Sequence, residues 1–141
     1  MLRYLIVTSI LLFIPVEVDA DPLTTDKQEC LFNSMNKHAE WTRKEELRTA
    51  WCVIERWSVP GGHTKFNAVA SCESGWYRFA YNPNGHAGLF QHDTDYWADR
   101  VRSYEPVGWE LKDSWQNPRT QIIVTARMVH SSGSWGAWAC A

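Results

Sequence analysis

The segment from Phe66 to Trp76, which reads FNAVASCESGW, is the most informative part of this chain for its fold. At the 3.6-residue period of a helix, one of its faces carries, in order, Phe66, Val69, Ala70 and Glu73. A carboxylate therefore ends a stripe that is otherwise apolar. The Ser-Gly pair that follows can stop the helix, because glycine tolerates the left-handed conformation at a helix C-terminus. The segment predicts a helix from about residue 64 to residue 74.

Glu73 is a candidate proton donor because of its neighbours in the sequence. A carboxyl group held against apolar side chains and the indole of Trp76 loses hydration, which favours its protonated form. Such a group can give a proton to a leaving oxygen. The alternative is an ordinary helix-end glutamate turned to solvent, which is the commoner arrangement for glutamate. This segment alone favours the alternative, so the choice depends on the rest of the chain.

Residues 1–20 have the pattern of a secretory signal peptide. Arg3 supplies a positive charge, an uncharged apolar run follows, and the small residues Val18 and Ala20 precede a predicted cleavage before Asp21. The apolar run is shorter than the roughly 20 residues that a spanning helix needs, which disfavours an uncleaved anchor. We therefore expect a secreted protein, extracellular or associated with a cell wall, with no stable membrane anchor after cleavage.

The composition argues against nucleic acid as a partner. The chain has 141 residues and a formal net charge of −2, so it has no basic excess for binding phosphates. Residues 21–141 are enough for one compact domain. We expect this domain to be a monomer.

The four cysteines predict a disulfide framework. An even number of cysteines in an exported chain suggests two disulfides, and three pairings are possible. A Cys30–Cys52 bridge would join the first two predicted helices. A zinc site is disfavoured because no cysteine pair has the two- to four-residue spacing of a zinc knuckle.

The periodicity predicts a mainly α fold. Helices are predicted at 26–36, from Thr42 to about Trp57, at 64–74, from Asp93 or Thr94 to Tyr104, and from Asn117–Pro118 to about 130. Thr42 and Glu45 would form a capping box. The buried face of the second of these helices is predicted to carry Leu47, Ala50, Trp51, Ile54 and Trp57. No run of alternating strand residues is convincing, so we expect at most a short hairpin within 76–90.

The chain contains nine tryptophans, which is many for its length. We expect Trp51, Trp57 and Trp97 in the core. The tryptophans in loops or next to glycines can stack on sugar rings, or they can close a small, loop-rich core. These are Trp76, Trp109, Trp115, Trp135 and Trp138.

Five motifs recur together in one known superfamily. They are CESGW at 72–76, GLFQ at 88–91, Trp97, Asn117–Pro118 with Gln121–Ile122, and WGAWAC at 135–140. In this order they resemble the lysozyme-like superfamily of soluble lytic transglycosylases and goose-type lysozymes. The resemblance is strongest to the muralytic domain of actinobacterial resuscitation-promoting factors. It covers about residues 64–140 and implies an α+β lysozyme-like fold, with 64–141 as catalytic core and 21–63 as a helical lead-in.

The resemblance implies roles for individual residues. Glu73 would be the catalytic acid, oriented by a hydrogen bond from Ser74, and Cys72 would pair with Cys140. The implied substrate-binding residues are Ser74, Trp76, Asn82, Gln91, Asn117, Gln121 and Trp138. The chain departs from the family where Gln121 replaces a common Asn and Phe90 replaces a common Met. These two departures bear on subsite contacts.

The implied activity is cleavage of the peptidoglycan glycan strand between N-acetylmuramic acid and N-acetylglucosamine. A single acid, Glu73, would act with the acetamido group of the substrate, and the product would be either a 1,6-anhydro sugar or a hydrolysed reducing end. Asp93 is a candidate second carboxylate, with Asp95 and Asp99 behind it, although solvated helix-start charges are the favoured interpretation of all three. No cofactor or metal is needed. The five histidines lack metal-ligand spacing. His92 directly follows Gln91 and could lie near the cleft, but the favoured prediction is a position at the surface.

Two alternatives remain open on the sequence. A lysozyme-like domain can be a non-catalytic glycan-binding module, since fold does not fix function. The presence of Glu73 favours the enzyme, because a pure binder has no need of an acid there. An exported phage lysin would use the same chemistry in a different biological setting.

Overall fold

A computed structural model describes residues 42–107, 109 and 111–141 of the chain. The predicted signal peptide, the predicted helix at 26–36 and Cys30 lie outside these residues, and so does the side chain of Glu45 on which the predicted capping box depends. The helices are α1 (Arg43–Arg56), α2 (Gly62–Ser74), α3 (Trp97–Tyr104) and α4 (Pro118–Ser132), and the strands are β1 (His86–Ala87) and β2 (His92–Asp93). None of the described helices is both long enough and apolar enough to cross a bilayer.

The prediction of a mainly α fold with a short hairpin is confirmed. The two strands pair antiparallel, with His86 opposite Asp93 and Ala87 opposite His92. The second strand lies just beyond the segment in which the hairpin was expected. One 3-10 turn, Thr94–Tyr96, leads directly into α3. The predicted helix start at residues 93–94 is therefore confirmed, with a tighter first turn.

Helix α2 ends as its sequence predicts, and it begins slightly before the predicted start at residue 64. It spans Gly62–Ser74, and Gly75 ends it at a φ of 63°. The N–H of Gly75 donates to the carbonyl of Ser71 at 2.9 Å, and the N–H of Trp76 donates to that of Ala70 at 3.2 Å. These bonds satisfy carbonyls that a helix end would otherwise leave unpaired.

The core lies between α1, α2 and α4. Helix α4 is the central element, because nearly all of its side chains from Pro118 to Val129 are buried. Its Ile122 and Ile123 share one apolar cluster with Phe66 of α2 and Val53 of α1. On the other side of α4, Val124 packs with Trp97 and Val101 of α3 in a smaller cluster. A helix covered on two sides explains the continuous apolar run IIV at 122–124.

The predicted buried face of α1 is partly wrong. Ala50 and Ile54 are buried, but Leu47 is 41% exposed and Trp51 is 57% exposed. Glu46, Thr49 and Val53 are buried as well. The buried face therefore includes two polar residues, and the helix is rotated about its axis relative to the predicted orientation. The ring of Trp51 instead stacks on His63, with centroids 3.8 Å apart. Apolar periodicity missed this orientation because the buried stripe is not purely apolar.

One complete disulfide is described where the sequence predicted two. Cys72 and Cys140 are bonded, which agrees with the pairing that the family resemblance implied. Cys52 is disulfide-bonded as well. Its predicted bridge to Cys30 lies outside the described residues.

Candidate functional site

A cleft with a volume of about 330 Å³ opens beside the C-terminal end of α2. Its walls come from the end of α2, the hairpin, α3, α4 and the C-terminal tail. The lining residues are Glu73, Asn82, His86, Gln91, Asp93, Arg100, Met128, Ala137, Trp138 and Ala139. Five of the lining residues were predicted as site residues from separate segments of the sequence, namely Glu73, Asn82, Gln91, Asp93 and Trp138.

Glu73 lies at the boundary between the apolar core and this cleft. The three residues that precede it on the same helix face, Phe66, Val69 and Ala70, are buried, whereas Glu73 itself is partly buried and lines the cleft. Its Oε1 accepts a hydrogen bond from the backbone N–H of Cys140 at 3.3 Å. The carboxylate is therefore held at the cleft wall by the C-terminal tail and is not turned freely into solvent.

Gln91 and Asn82 form a rigid amide wall. Gln91 has a left-handed φ of 48°, and its Nε2 donates to the carbonyl of Gly88 at 3.0 Å. Its Oε1 accepts from Nδ2 of Asn82 at 3.1 Å. The Oδ1 of Asn82 accepts in turn from the backbone N–H of Asn84 at 2.9 Å and of His86 at 3.3 Å. Both amides are oriented before any ligand arrives, which lowers the entropic cost of binding.

Trp138 closes the cleft from the C-terminal tail. Its Nε1 donates to the carbonyl of Phe90 at 2.9 Å, and its ring meets His92 edge to face at 5.7 Å. The indole is partly buried and lines the cleft. A fixed indole beside fixed amides is a surface on which a sugar ring can stack while its polar groups are hydrogen-bonded.

Asp93 shares the cleft with Glu73. Its Oδ1 accepts from the backbone N–H of Asp95 at 2.9 Å, so it caps the 3-10 turn as well as lining the cleft. The other two candidates are exposed, and Asp99 is paired with Arg102 on the surface of α3. Asp93 is therefore the second carboxylate that the structure brings to the site.

Four of the predicted substrate-binding residues do not line this cleft. Trp76 is a core residue at 4% exposure, and its Nε1 donates to Oδ1 of Asn67 at 2.8 Å. Asn117 caps α4 by accepting from the N–H of Thr120 at 3.0 Å. The Ser74 hydroxyl donates to the carbonyl of Leu89 at 2.8 Å, in place of the implied bond to Glu73. These residues support the framework that surrounds the cleft.

Gln121, the fourth of them, is completely buried and holds the loop 87–90 against α4. Its Oε1 accepts from the N–H of Phe90 at 3.1 Å. Its Nε2 donates to the carbonyls of Ala87 at 3.1 Å and Trp115 at 3.0 Å. Since Gln91 directly follows this loop, Gln121 acts on the site through the backbone.

His92 is buried, which corrects the prediction that it lies at the surface. Nη1 of Arg100 donates to its Nδ1 at 2.8 Å, so the ring proton is on Nε2, which donates to Oγ1 of Thr125 at 2.7 Å. Burial first, and the charge of Arg100 second, lower the pKa of His92 to about 3. The ring is therefore neutral at physiological pH.

Arg100, His86 and Met128 were not predicted as site residues. Arg100 lies eight positions after His92, and Met128 lies on another helix, so no local pattern connects them to the cleft. His86 lies in the segment 76–90, for which the sequence predicted only a short hairpin. Within the described part of the chain, no group of three or more His, Cys, Asp or Glu side chains is arranged to hold a metal ion.

Comparison of the chain with protein-family models, with curated proteins and with solved structures gives no significant match.

Proposed function

We propose that this protein is a secreted enzyme that cleaves the peptidoglycan glycan strand between N-acetylmuramic acid and N-acetylglucosamine. The observation that carries the proposal is the position of Glu73. An acid at the end of a buried helix face shares one cleft with two fixed amides, Asn82 and Gln91, and with the indole of Trp138. The sequence resemblance to lysozyme-like enzymes supports the same reaction at the same residue.

In the proposed reaction Glu73 acts first as an acid. Its carboxyl proton passes to the bridging oxygen while the bond from that oxygen to C1 of the muramic acid breaks. The carbonyl oxygen of the substrate's own acetamido group attacks C1 and stabilises the positive charge there. Trp138 supports the sugar ring, and the amides of Asn82 and Gln91 orient the polar substituents.

Glu73, now a carboxylate, then acts as the base. It accepts a proton either from the 6-hydroxyl of the muramic acid or from a water molecule, and the resulting oxygen displaces the acetamido group from C1. The first route gives a 1,6-anhydro product and the second gives a reducing end. Asp93 would favour the second route if it positions or activates that water.

The test is digestion of purified peptidoglycan by residues 21–141, with the products identified by mass spectrometry. We expect release of muropeptides by the wild type and a loss of at least about a thousand-fold in rate for Glu73→Gln, since general acid catalysis contributes roughly 10²–10⁴-fold and Glu73 acts twice. Glu55→Gln is the matched control, because Glu55 lies on α1 and contacts His63, outside the cleft.

The products separate the alternatives. Anhydro-muropeptides would identify a lytic transglycosylase, and reducing ends would identify a lysozyme. In the second case Asp93→Asn should lower the rate while the exposed Asp95→Asn should not. If the folded wild type releases no products but still sediments with cell walls, the enzyme proposal is rejected and the protein is a non-catalytic glycan-binding module.

A further inference from the structure

Arg100 places a positive charge in the wall of the cleft that holds Glu73. Its side chain is partly buried and reaches the cleft from α3. One of its nitrogens, Nη1, is fixed 2.8 Å from Nδ1 of His92. His92 is in turn held by Thr125 of α4 and packed beside Trp97 and Trp138. The guanidinium is therefore anchored to a buried framework.

The charge of Arg100 is not neutralised by its anchor. His92 is uncharged, so it accepts a hydrogen bond without cancelling the positive charge. Among the described residues, no carboxylate oxygen lies within 4.0 Å of the Arg100 guanidinium, whereas Arg102 on the same helix is paired with Asp99. A guanidinium has five N–H donors, and the bond to His92 uses one of them.

A cation fixed in this way suits a carboxylate ligand. Guanidinium and carboxylate groups form paired, charge-assisted hydrogen bonds, which are stronger and more directional than neutral ones. The two sugars of peptidoglycan differ in this respect. N-acetylglucosamine is neutral, whereas N-acetylmuramic acid carries a lactyl ether whose carboxyl group is either free or linked to a peptide that has carboxylates of its own.

We propose that Arg100 binds a carboxylate of the muramyl residue and selects muramic acid-containing glycans over neutral chitin-type glycans. This inference rests on the proposed function, since it specifies the substrate of the same cleft. The carboxylate comes either from the free lactyl group or from the stem peptide. The hydrogen bond between His92 of the hairpin and Thr125 of α4 fixes the imidazole, and the imidazole in turn orients the guanidinium of Arg100.

The test compares three substrates with Arg100→Gln, Arg100→Lys and the control Arg102→Gln. The substrates are intact peptidoglycan, glycan strands freed of stem peptides by an amidase, and neutral chitin oligosaccharides. For Arg100→Gln we expect kcat/KM on the anionic substrates to fall about ten- to a hundred-fold, mainly through KM, with little change on chitin oligosaccharides. Arg100→Lys should recover part of the preference, and Arg102→Gln should behave as the wild type.

The two anionic substrates identify the source of the carboxylate. A larger loss on amidase-treated strands indicates the lactyl carboxylate, and a larger loss on intact peptidoglycan indicates the stem peptide. An equal loss on anionic and neutral substrates would overturn the proposal, because it would show that Arg100 only stabilises the site. An unchanged preference would overturn it as well.

Binding measurements make this test independent of catalysis. Affinity for the same three glycans is measured with Glu73→Gln and with the double variant Glu73→Gln/Arg100→Gln. Loss of the preference for anionic glycans in the double variant supports the role of Arg100 even if the wild type releases no products. Equal affinities of the two proteins for every glycan would reject that role even if Glu73 proves to be catalytic.

Discussion

The backbone N–H of Cys140 donates to Oε1 of Glu73 across an N–O distance of 3.3 Å. The disulfide between Cys72 and Cys140 explains why these two groups meet, because Cys72 directly precedes Glu73 on α2. The bridge therefore fixes a hydrogen-bond donor beside the candidate acid, and it joins the C-terminal end of α2 to the C-terminal tail. The same tail carries Trp138 into the cleft.

Removal of this disulfide should lower stability and activity together. The bridge spans a sequence separation of 68 residues, and for a loop of that size the chain-entropy value is about 4 kcal/mol, an upper figure for Cys140→Ser. Activity on peptidoglycan should fall because the tail that holds Glu73 and Trp138 loosens. Thermal unfolding and wall digestion measure the two effects. The double variant Cys72→Ser/Cys140→Ser controls for the free thiol. Unchanged melting and digestion in both would contradict this role.

Gly88→Ala should be strongly destabilising. Gly88 has a φ of 78°, and a Cβ added there would lie 2.1 Å from Nε2 of Gln121 and 2.7 Å from the backbone oxygen of Trp115. The loop 87–90 would have to move away from α4, at a cost of about 3 kcal/mol or more. Gly133→Ala is the matched control, because Gly133 has a similar φ of 66° with no atom within 4 Å of an added Cβ, and it should cost only about 1 kcal/mol. Both losses in the free energy of unfolding are measured by urea unfolding. Equal losses would show that the cost comes from the positive φ alone and not from contact with Gln121 and Trp115.

Gln121→Leu tests the buried amide that holds the same loop. The substitution keeps the approximate volume but removes three hydrogen bonds, among them the one that the N–H of Phe90 donates to Oε1 of Gln121. We expect a loss of about 3 kcal/mol in the free energy of unfolding, together with lower activity, because Gln91 follows this loop. The exposed Gln116→Leu should change stability by less than about 0.5 kcal/mol. A loss of stability without any loss of activity would show that the loop 87–90 does not control the position of Gln91 in the cleft.

Glu46 should make stability decrease as the pH rises above 4.5. Burial raises the pKa of Glu46 from 4.5 to about 7, although the nearby charges of Arg43 and Arg78 oppose this shift. The folded state therefore holds a proton that the unfolded chain releases, and the free energy of unfolding falls between pH 4.5 and 7. Glu46→Gln cannot ionise, so it should be more stable than the wild type above pH 7, by up to about 3 kcal/mol.

The pH dependence itself is the control for Glu46→Gln. The difference in unfolding free energy between the variant and the wild type should disappear below pH 4.5, where both side chains are neutral. Urea unfolding at pH 4, 6 and 8 measures it. A difference that stays constant over this range would have a steric cause and not an electrostatic one.

Local patterns predicted the elements that local interactions form. The stop at Gly75 follows from backbone preference, and the start of α4 follows from Asn117, whose side chain satisfies a free N–H at the helix start. The position of Glu73 at the end of a buried face follows from helical period alone. The orientation of α1 did not follow from it, because Glu46 and Thr49 are buried while Trp51 is exposed.

Local sequence patterns predicted the described helices with their approximate ends, a short hairpin and the acid that ends the apolar face of α2. The resemblance in its motifs added the pairing of Cys72 with Cys140. Tertiary contacts, and not these patterns, determine which polar residues line the cleft and which support it. Gln91 lines the cleft while Gln121 is buried, and Arg100 reaches the cleft through a contact with His92. These contacts join residues distant in the chain, and their stability depends on burial and hydrogen-bond partners that local periodicity does not encode.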